Sequence, residues 1–287
     1  MVFGMKLIHI SDTHFMQAGS QFYGLDPYAR LAACIDDINN QHADADLCVI
    51  TGDLAHWADF EAYQALCDNL RALKIPLRLL VGNPDQRTAV AQIFPETPVD
   101  GHGFIPSSLQ TSAGVCIFLD TVEAGAHSGR YCTRRQAWLR QELQYYRNQP
   151  VYLFMHHPPF RIGLKSMDQR ALQDREALAE LLQNQHSAIR HLFFGHTPRP
   201  ISGSWCGIPF TTLRATSHQV WLDVSRQDIL LGQHEPPAYA VALLNTSQKV
   251  VQRHDYLDSR PTFERVKRQF PLPLSGTHLS GGYRHVR

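Results

Sequence analysis

Polar residues of metal-ligand type follow several apolar stretches of the sequence, at the point where each stretch ends. Asp12 and His14 come after the first apolar run, which begins at Leu7. Because the side chains of an extended strand alternate in direction, residues two apart point the same way. A carboxylate and an imidazole on one side can bind a hard or borderline metal ion. Alone the pair is weak evidence, since an Asp-x-His triplet also occurs in surface loops and helix caps.

The same pattern recurs after four later apolar runs, which end in Gly52-Asp53, Gly82-Asn83, His156-His157 and Gly195-His196. Groups at the carboxyl ends of strands in an open α/β sheet converge on one crevice. The mixture of carboxylate, amide and imidazole ligands suits Zn²⁺, Mn²⁺ or Fe²⁺ better than an all-oxygen Ca²⁺ or Mg²⁺ site. We expect Asp53 to lie centrally, where it could bridge two ions. We expect the side chain of His157 to point away from that of His156 and to be structural.

Strand and helix patterns alternate between these ligands. The dipeptide Asp26-Pro27 is typical of a helix start, and Leu31, Ile35 and Ile38 follow it at helical spacing. This alternation predicts an α/β fold, with a parallel sheet and helices on its faces. The stretch from Pro95 to Ser112, rich in Pro, Gly and Ser, is predicted to be a loop.

The pattern divides the chain into four segments. Residues 1–199 form the α/β core, and short β-like runs in 200–237 indicate a small β-rich cap that could serve in dimerisation. Residues 238–260 supply strands that close the core. The polar segment 261–287 is either a packed extension or disordered.

Composition excludes several classes of function. The 27 basic and 26 acidic residues nearly cancel, so a nucleic-acid partner is not expected. No apolar run approaches the roughly 20 residues of a membrane helix, and no leader pattern opens the chain, so we expect a cytoplasmic protein without a membrane partner. The six cysteines lack C-x-x-C spacing and are expected to be free thiols.

Six short motifs make the chain resemble the calcineurin-like metallophosphoesterases, particularly bacterial glycerophosphodiesterases and class III cyclic-nucleotide phosphodiesterases. They are ISDTHF (10–15), GDLA (52–55), GNPD (82–85), MHHPP (155–159), FFGH (193–196) and TSHQV (216–220). The resemblance implies a four-layer α/β/β/α sandwich and two divalent transition-metal ions, Mn, Fe or Zn. It also implies a small phosphodiester substrate, of glycerophosphodiester, cyclic-nucleotide or phosphonate-ester type, attacked by metal-activated hydroxide, and a homo-oligomer.

The resemblance also assigns roles to residues. The first ion would be held by Asp12, His14 and Asp53. The second ion would be held by Asp53, Asn83, His156 and His196. Asp53, Asn83 and His218 would take part in catalysis, and Tyr23, Asn83 and His218 would contact the substrate.

Two prolines depart from the family pattern. Pro84 replaces a histidine that usually lies near the substrate, and Pro198 replaces a histidine that usually completes the first site. Because proline can neither coordinate a metal nor transfer a proton, we expect a weakened first site. The alternatives are an enzyme that uses one metal ion and a non-catalytic phosphate- or nucleotide-binding protein. Asp12 and Asp53 could also be helix caps, Asn83 a turn residue, and Tyr23 and His218 ordinary packing residues.

Overall fold

The computed structural model describes residues 4–183, 188–226, 229–257, 263–265 and 283–285. In chain order the strands are β1 (Met5–Ile10), β2 (Leu47–Thr51), β3 (Leu77–Leu80), β4 (Ser107–Thr111), β5 (Gly114–Phe118), β6 (Val151–Met155), β7 (Ile189–Phe194), β8 (Ile201–Trp205), β9 (Ile208–Thr212), β10 (Gln219–Val220), β11 (Gly232–Gln233), β12 (Ala238–Leu244), β13 (Lys249–Asp255), β14 (Phe263–Arg265) and β15 (Tyr283–His285). The helices are α1 (Pro27–Gln41), α2 (Phe60–Leu70), α3 (Arg87–Ile93), α4 (Thr133–Tyr145), α5 (Lys165–Asp168) and α6 (Arg175–Gln183).

Two sheets carry the site. The first has the strand order β13-β12-β1-β2-β3, in which β1, β2 and β3 are parallel and β12 runs antiparallel to β1. The second has the order β4-β5-β6-β7-β9-β8, in which β5, β6, β7 and β9 are parallel. Each sheet therefore has a parallel centre, so the carboxyl ends of its central strands lie along one edge.

The inner faces of the two sheets pack against each other. One buried apolar cluster contains Leu7 and Val49 of the first sheet together with Phe118, Phe154 and Phe193 of the second. Strands buried on both faces need continuous apolar runs, which explains why these strands do not alternate between apolar and polar residues.

Helices cover the outer faces of both sheets. Helices α1 and α2 pack on the first sheet, and α4 and α6 pack on the second. Helix α1 begins as predicted, because the Asp26 side chain accepts a hydrogen bond of 3.0 Å from the amide of Ala29 and Pro27 occupies the first turn. The predicted four-layer α/β/β/α sandwich is confirmed.

Two elements differ from the sequence prediction. The stretch from Pro95 to Ser112 is not all loop, because strand β4 pairs antiparallel with β5 through a tight turn at Ser112-Ala113. Its polar, partly exposed residues carry no apolar period, so the strand depends on pairing with its neighbour. Helix α3 was also not predicted from the sequence.

The strands of segment 200–237 divide between two sheets. Strands β8 and β9 join the second core sheet, whereas β10 and β11 form a separate two-stranded sheet. Strands β12 and β13, in the predicted closing segment 238–260, join the first sheet.

Residues 257–287 form a second compact unit, and most of the predicted C-terminal extension lies outside the described residues. Its described part is the antiparallel pair β14 and β15. Among the residues that the structure describes, none of the helices has the length and apolar character needed to cross a membrane.

Candidate metal centre

Asp53 occupies the centre of the predicted site. Its Oδ1 atom lies 3.0 Å from Nε2 of His156, and its Oδ2 atom lies 3.5 Å from Nε2 of His14. The two oxygens therefore face two different imidazoles, one from each half of the predicted ligand set. A carboxylate that bridges two ions needs this arrangement.

The predicted ligands of the second ion gather around His156. Its Nε2 atom lies 3.4 Å from Oδ1 of Asn83 and 3.2 Å from Nδ1 of His196. The opposite ring nitrogen, Nδ1, lies 2.7 Å from the carbonyl oxygen of Thr51 and donates its proton there. This contact orients the ring and leaves Nε2 directed at the other three side chains.

The predicted ligands of the first ion form a second group. Ligand atoms of Asp12, His14 and Asp53 lie within 4.8 Å of one another. The Ser11 hydroxyl donates to Oδ2 of Asp12 at 2.5 Å, while the buried Oδ1 atom has no hydrogen-bond partner among the described residues. A buried carboxylate oxygen without a partner is costly, and a cation would satisfy it. The donor set thus fits divalent metal ions.

Strained backbone accompanies these ligands. The φ angles are 51° at Asp12, 41° at His14, 51° at Asp53 and 64° at His196, all in the left-handed region that disfavours residues with a side chain. Such strain persists only where the surrounding fold imposes it, and it concentrates at functional sites. The left-handed turns lie at the ligand residues themselves, and they direct the ligand side chains towards the metal centre.

The glycines before the ligands allow close approach. A Cβ atom on Gly195 would lie 2.1 Å from the Ser11 hydroxyl oxygen and 2.7 Å from the Thr51 carbonyl oxygen. Gly52 has a φ of 89°, and a Cβ there would lie 2.6 Å from Nδ1 of His156. Any side chain at either position would push the metal-binding loops apart.

The charges of the centre are coupled. Burial alone would raise the pKa of Asp53, but the imidazoles of His156 and His14 hold it well below its usual range. Burial opposes protonation of His156, yet the Asp53 carboxylate raises the pKa of His156 to about 9. Burial and the charge of Asp53 raise the pKa of Asp12 to about 7. Burial and His156 lower the pKa of His196 to about 3. Near neutral pH, His156 carries the proton that balances Asp53.

Asp85 supports the centre from behind and was not recognised from the sequence. Its buried carboxylate accepts hydrogen bonds from the amides of Leu54, Ala55 and Gly82 and from the Tyr63 hydroxyl. These bonds connect the loop after Asp53 to the loop that carries Asn83. Burial and the charge of Asp53 raise the pKa of Asp85 to about 6.

Two of the three residues predicted to contact substrate, Tyr23 and His218, lie together beside the first group. The His218 ring is 5.1 Å from the His14 ring and 5.2 Å from the Tyr23 ring, measured between centroids. Burial and the nearby histidines lower the pKa of His218 to about 3. Both side chains line a cavity of about 230 Å³ with Leu230, Leu231 and His234.

Two further histidines lie at the centre. The expected direction of His157 is wrong, because a ring nitrogen of His157 lies within 4.8 Å of ligand nitrogens of His156 and His196. Its Nδ1 atom also forms a hydrogen bond of 2.8 Å with the Thr121 hydroxyl. His56 was not predicted either, and its Nδ1 atom lies 3.4 Å from Nδ1 of His14. Its position three residues after Asp53 was the one available sequence signal.

Comparison with known proteins identifies relatives along most of the chain. Residues 5–200 match the family model described as calcineurin-like phosphoesterase. A probable cyclic nucleotide phosphodiesterase of Rhodopseudomonas palustris is 38% identical over 90% of this chain and 95% of its own length. A probable glycerophosphodiester phosphodiesterase of Arcobacter nitrofigilis is 29% identical over 88% of this chain and 93% of its own length.

The fold also has solved relatives. A dimetal phosphatase from Danio rerio superposes with a TM-score of 0.67 at 12% identity, covering 89% of this chain and 98% of that chain. At this identity the likeness concerns the fold alone. Together the comparisons confirm the resemblance predicted from the six motifs.

Proposed function

Because the chain belongs to the calcineurin-like phosphoesterase family, we propose that it hydrolyses small phosphodiesters at the centre around Asp53. The observation that carries the proposal is the position of Asp53, whose two oxygens face His156 and His14 separately. Two bound divalent transition-metal ions, Mn, Fe or Zn, would orient the diester, neutralise its charge and lower the pKa of a water molecule.

The two metal sites are unequal in this proposal. Asp53, Asn83, His156 and His196 supply four ligand side chains for the second ion. Asp12, His14 and the shared Asp53 supply three for the first, since Pro198 stands where the family has a histidine. The first site should therefore be the weaker one.

His218 is better suited to bind substrate than to act as a general acid. With its pKa lowered to about 3, the imidazole is neutral near pH 7. The protonated imidazolium, the form that acts as a general acid, is therefore scarce at this pH. A neutral imidazole still donates one N–H, which can bind a phosphoryl oxygen. Asn83 has a similar use, because its amide nitrogen can donate while its oxygen faces the second site.

The cavity beside His218 is a candidate site for the organic group of the diester. Tyr23, Leu230 and Leu231 give it an apolar wall, and His234 adds a polar group. Cyclic nucleotides and glycerophosphodiesters, the substrates named for the two relatives, are the first compounds to test. Phosphonate monoesters complete the panel.

A hydrolysis screen with metal analysis tests the proposal. The protein is assayed against this panel with Mn²⁺, Zn²⁺ and Fe²⁺, and bound metal is measured on the same samples. Diester turnover with two metal equivalents supports the proposal. Turnover with one equivalent supports a one-metal enzyme, which the proline at position 198 would favour. Ligand binding without turnover on any diester contradicts the proposal and indicates a phosphate-binding protein.

Cytoplasmic location, homo-oligomer formation and a cap in segment 200–237 remain predictions from the sequence. So does the expected absence of nucleic-acid and membrane partners.

A further inference from the structure

His56 contacts the side of the His14 ring opposite the predicted metal. The Nε2 atom of His14 faces Oδ2 of Asp53 at 3.5 Å, and its Nδ1 atom lies 3.4 Å from Nδ1 of His56. For Nε2 to offer its lone pair to an ion, the proton of the neutral ring must be on Nδ1. His14 Nδ1 then donates, and the Nδ1 atom of His56 accepts.

We propose that His56 is a positioning residue that fixes the tautomer and orientation of His14 for the first metal ion. The inference rests on the proposed function, because it takes His14 as a ligand of that ion. Partners of this kind, which accept a hydrogen bond from the N–H on the ring nitrogen that does not bind the metal, orient the ring and raise its basicity as a ligand.

The His56 ring is itself held in place. Its centroid lies 3.8 Å from that of Phe22 and 4.2 Å from that of Trp57, and its backbone amide donates to the Phe15 carbonyl at 3.1 Å. The Phe22 ring also lies 5.6 Å from the His14 ring. An acceptor ring in contact with two aromatic rings can impose one orientation on His14, which a freely rotating surface side chain could not.

The first metal site should depend strongly on the contact between His56 and His14, because it has few protein ligands. With proline at position 198, the first ion has three protein ligands, and His14 is the neutral one among them. A site with few ligands depends more on the orientation and basicity of each. The effect of His56 should therefore be concentrated on the first ion, while His156 has its own acceptor in the Thr51 carbonyl.

Mn²⁺ titration of the full chain tests the inference, with free Mn²⁺ measured by electron paramagnetic resonance. The wild type should show a tight and a weak class of sites, and Asp12→Ala should remove the weak class, which assigns that class to the first ion. His56→Ala should weaken the weak class by about 10- to 100-fold and change the tight class by less than about twofold.

Two variants serve as controls. His56→Asn places an acceptor oxygen near the position of the lost Nδ1 atom and should recover most of the affinity, whereas a role in packing alone would not be rescued. His102→Ala, at an exposed histidine that contacts Arg134, should leave both classes unchanged.

The outcomes separate the inference from the proposed function. Unchanged weak binding in His56→Ala, equal weakening of both classes, or no rescue by asparagine overturns the role of His56. A wild type that binds only one equivalent of Mn²⁺ overturns the two-metal assignment itself, and two equivalents of equal affinity overturn the weaker first site.

Discussion

The Nε2 atom of His156 lies 3.0 Å from Oδ1 of Asp53, and both side chains are buried. Without a metal ion, the two form a pair in which a proton on His156 balances the negative charge. The proton therefore lies between the same atoms that are proposed to bind the second ion. Metal binding and protonation should compete directly.

This competition predicts a pH dependence of metal binding. Because the Asp53 charge raises the pKa of His156 to about 9 despite burial, an ion that binds between pH 7 and 9 must displace a proton. The affinity of the tight class should rise by up to about tenfold per pH unit across this range. Mn²⁺ titrations at several pH values, with proton release measured in weakly buffered solution, check it. Affinity that does not vary with pH would contradict the paired state.

Replacing Asp53 should remove both metal sites. Asp53→Ala takes away the shared oxygens and leaves His156 without its charge partner, so both classes of Mn²⁺ binding and all diester turnover should be lost. The loss of metal affinity should exceed the ~10- to 100-fold loss expected when a residue that only hydrogen-bonds a metal ligand is removed. Metal analysis and turnover are measured beside Asp68→Ala, a change at an exposed carboxylate. If either metal site survives, Asp53 does not bridge the two ions.

Restoring the missing histidine should strengthen the first site. Pro198 is buried, and its carbonyl oxygen accepts a hydrogen bond of 3.0 Å from the amide of Val220, a bond that a histidine at this position can keep. Pro198→His should increase the affinity of the weak class by about tenfold, equivalent to ~1.4 kcal/mol. The tight class should not change. Unaltered weak binding would mean that another group already completes the first site.

Asp85 should contribute to the stability of the fold. Asp85→Ala leaves the buried amides of Leu54 and Gly82 without their acceptor, which should lower the free energy of unfolding by about 3 kcal/mol. Asp85→Asn keeps one acceptor oxygen and should lose less. Urea unfolding in the presence of a chelator measures this without a contribution from bound metal. Equal stability of wild type and Asp85→Ala would show that these amides find other partners.

His191 should make the protein less stable in acid. Burial lowers the pKa of His191 to about 3 from 6.5, so the unfolded chain binds a proton at this residue between these values and the folded chain does not. Above pH 6.5 the neutral His191 does not lower the free energy of unfolding. Below pH 6.5 the free energy of unfolding decreases by up to ~1.4 kcal/mol per pH unit, because the unfolded chain takes up a proton that the folded chain does not. Unfolding free energies at pH 7 and 5.5 should therefore differ less in His191→Gln than in the wild type. His102→Gln, at an exposed position, should retain the wild-type difference; equal differences in all three proteins would contradict the assignment.

The sequence by itself determined the layered fold, the family and the set of candidate ligands. Apolar runs long enough to be buried on both faces predict parallel strands, and metal-ligand residue types at their ends predict where the centre lies. These signals are local, because each depends on a few adjacent residues. The two departures, Pro84 and Pro198, were equally visible.

The tertiary structure decided which atoms face each other. The division of the Asp53 oxygens between two histidines, the contact of His56 with His14 and the position of Asp85 all join residues from different strand ends. His156 and His157 lie after the end of β6 at Met155 and do not continue the strand, so strand alternation mispredicted the direction of His157. Strand β4 was missed for a related reason, since its polar residues form a strand only because β5 offers a pairing edge. Such features arise from packing between distant segments, and residue types and spacing alone do not encode them.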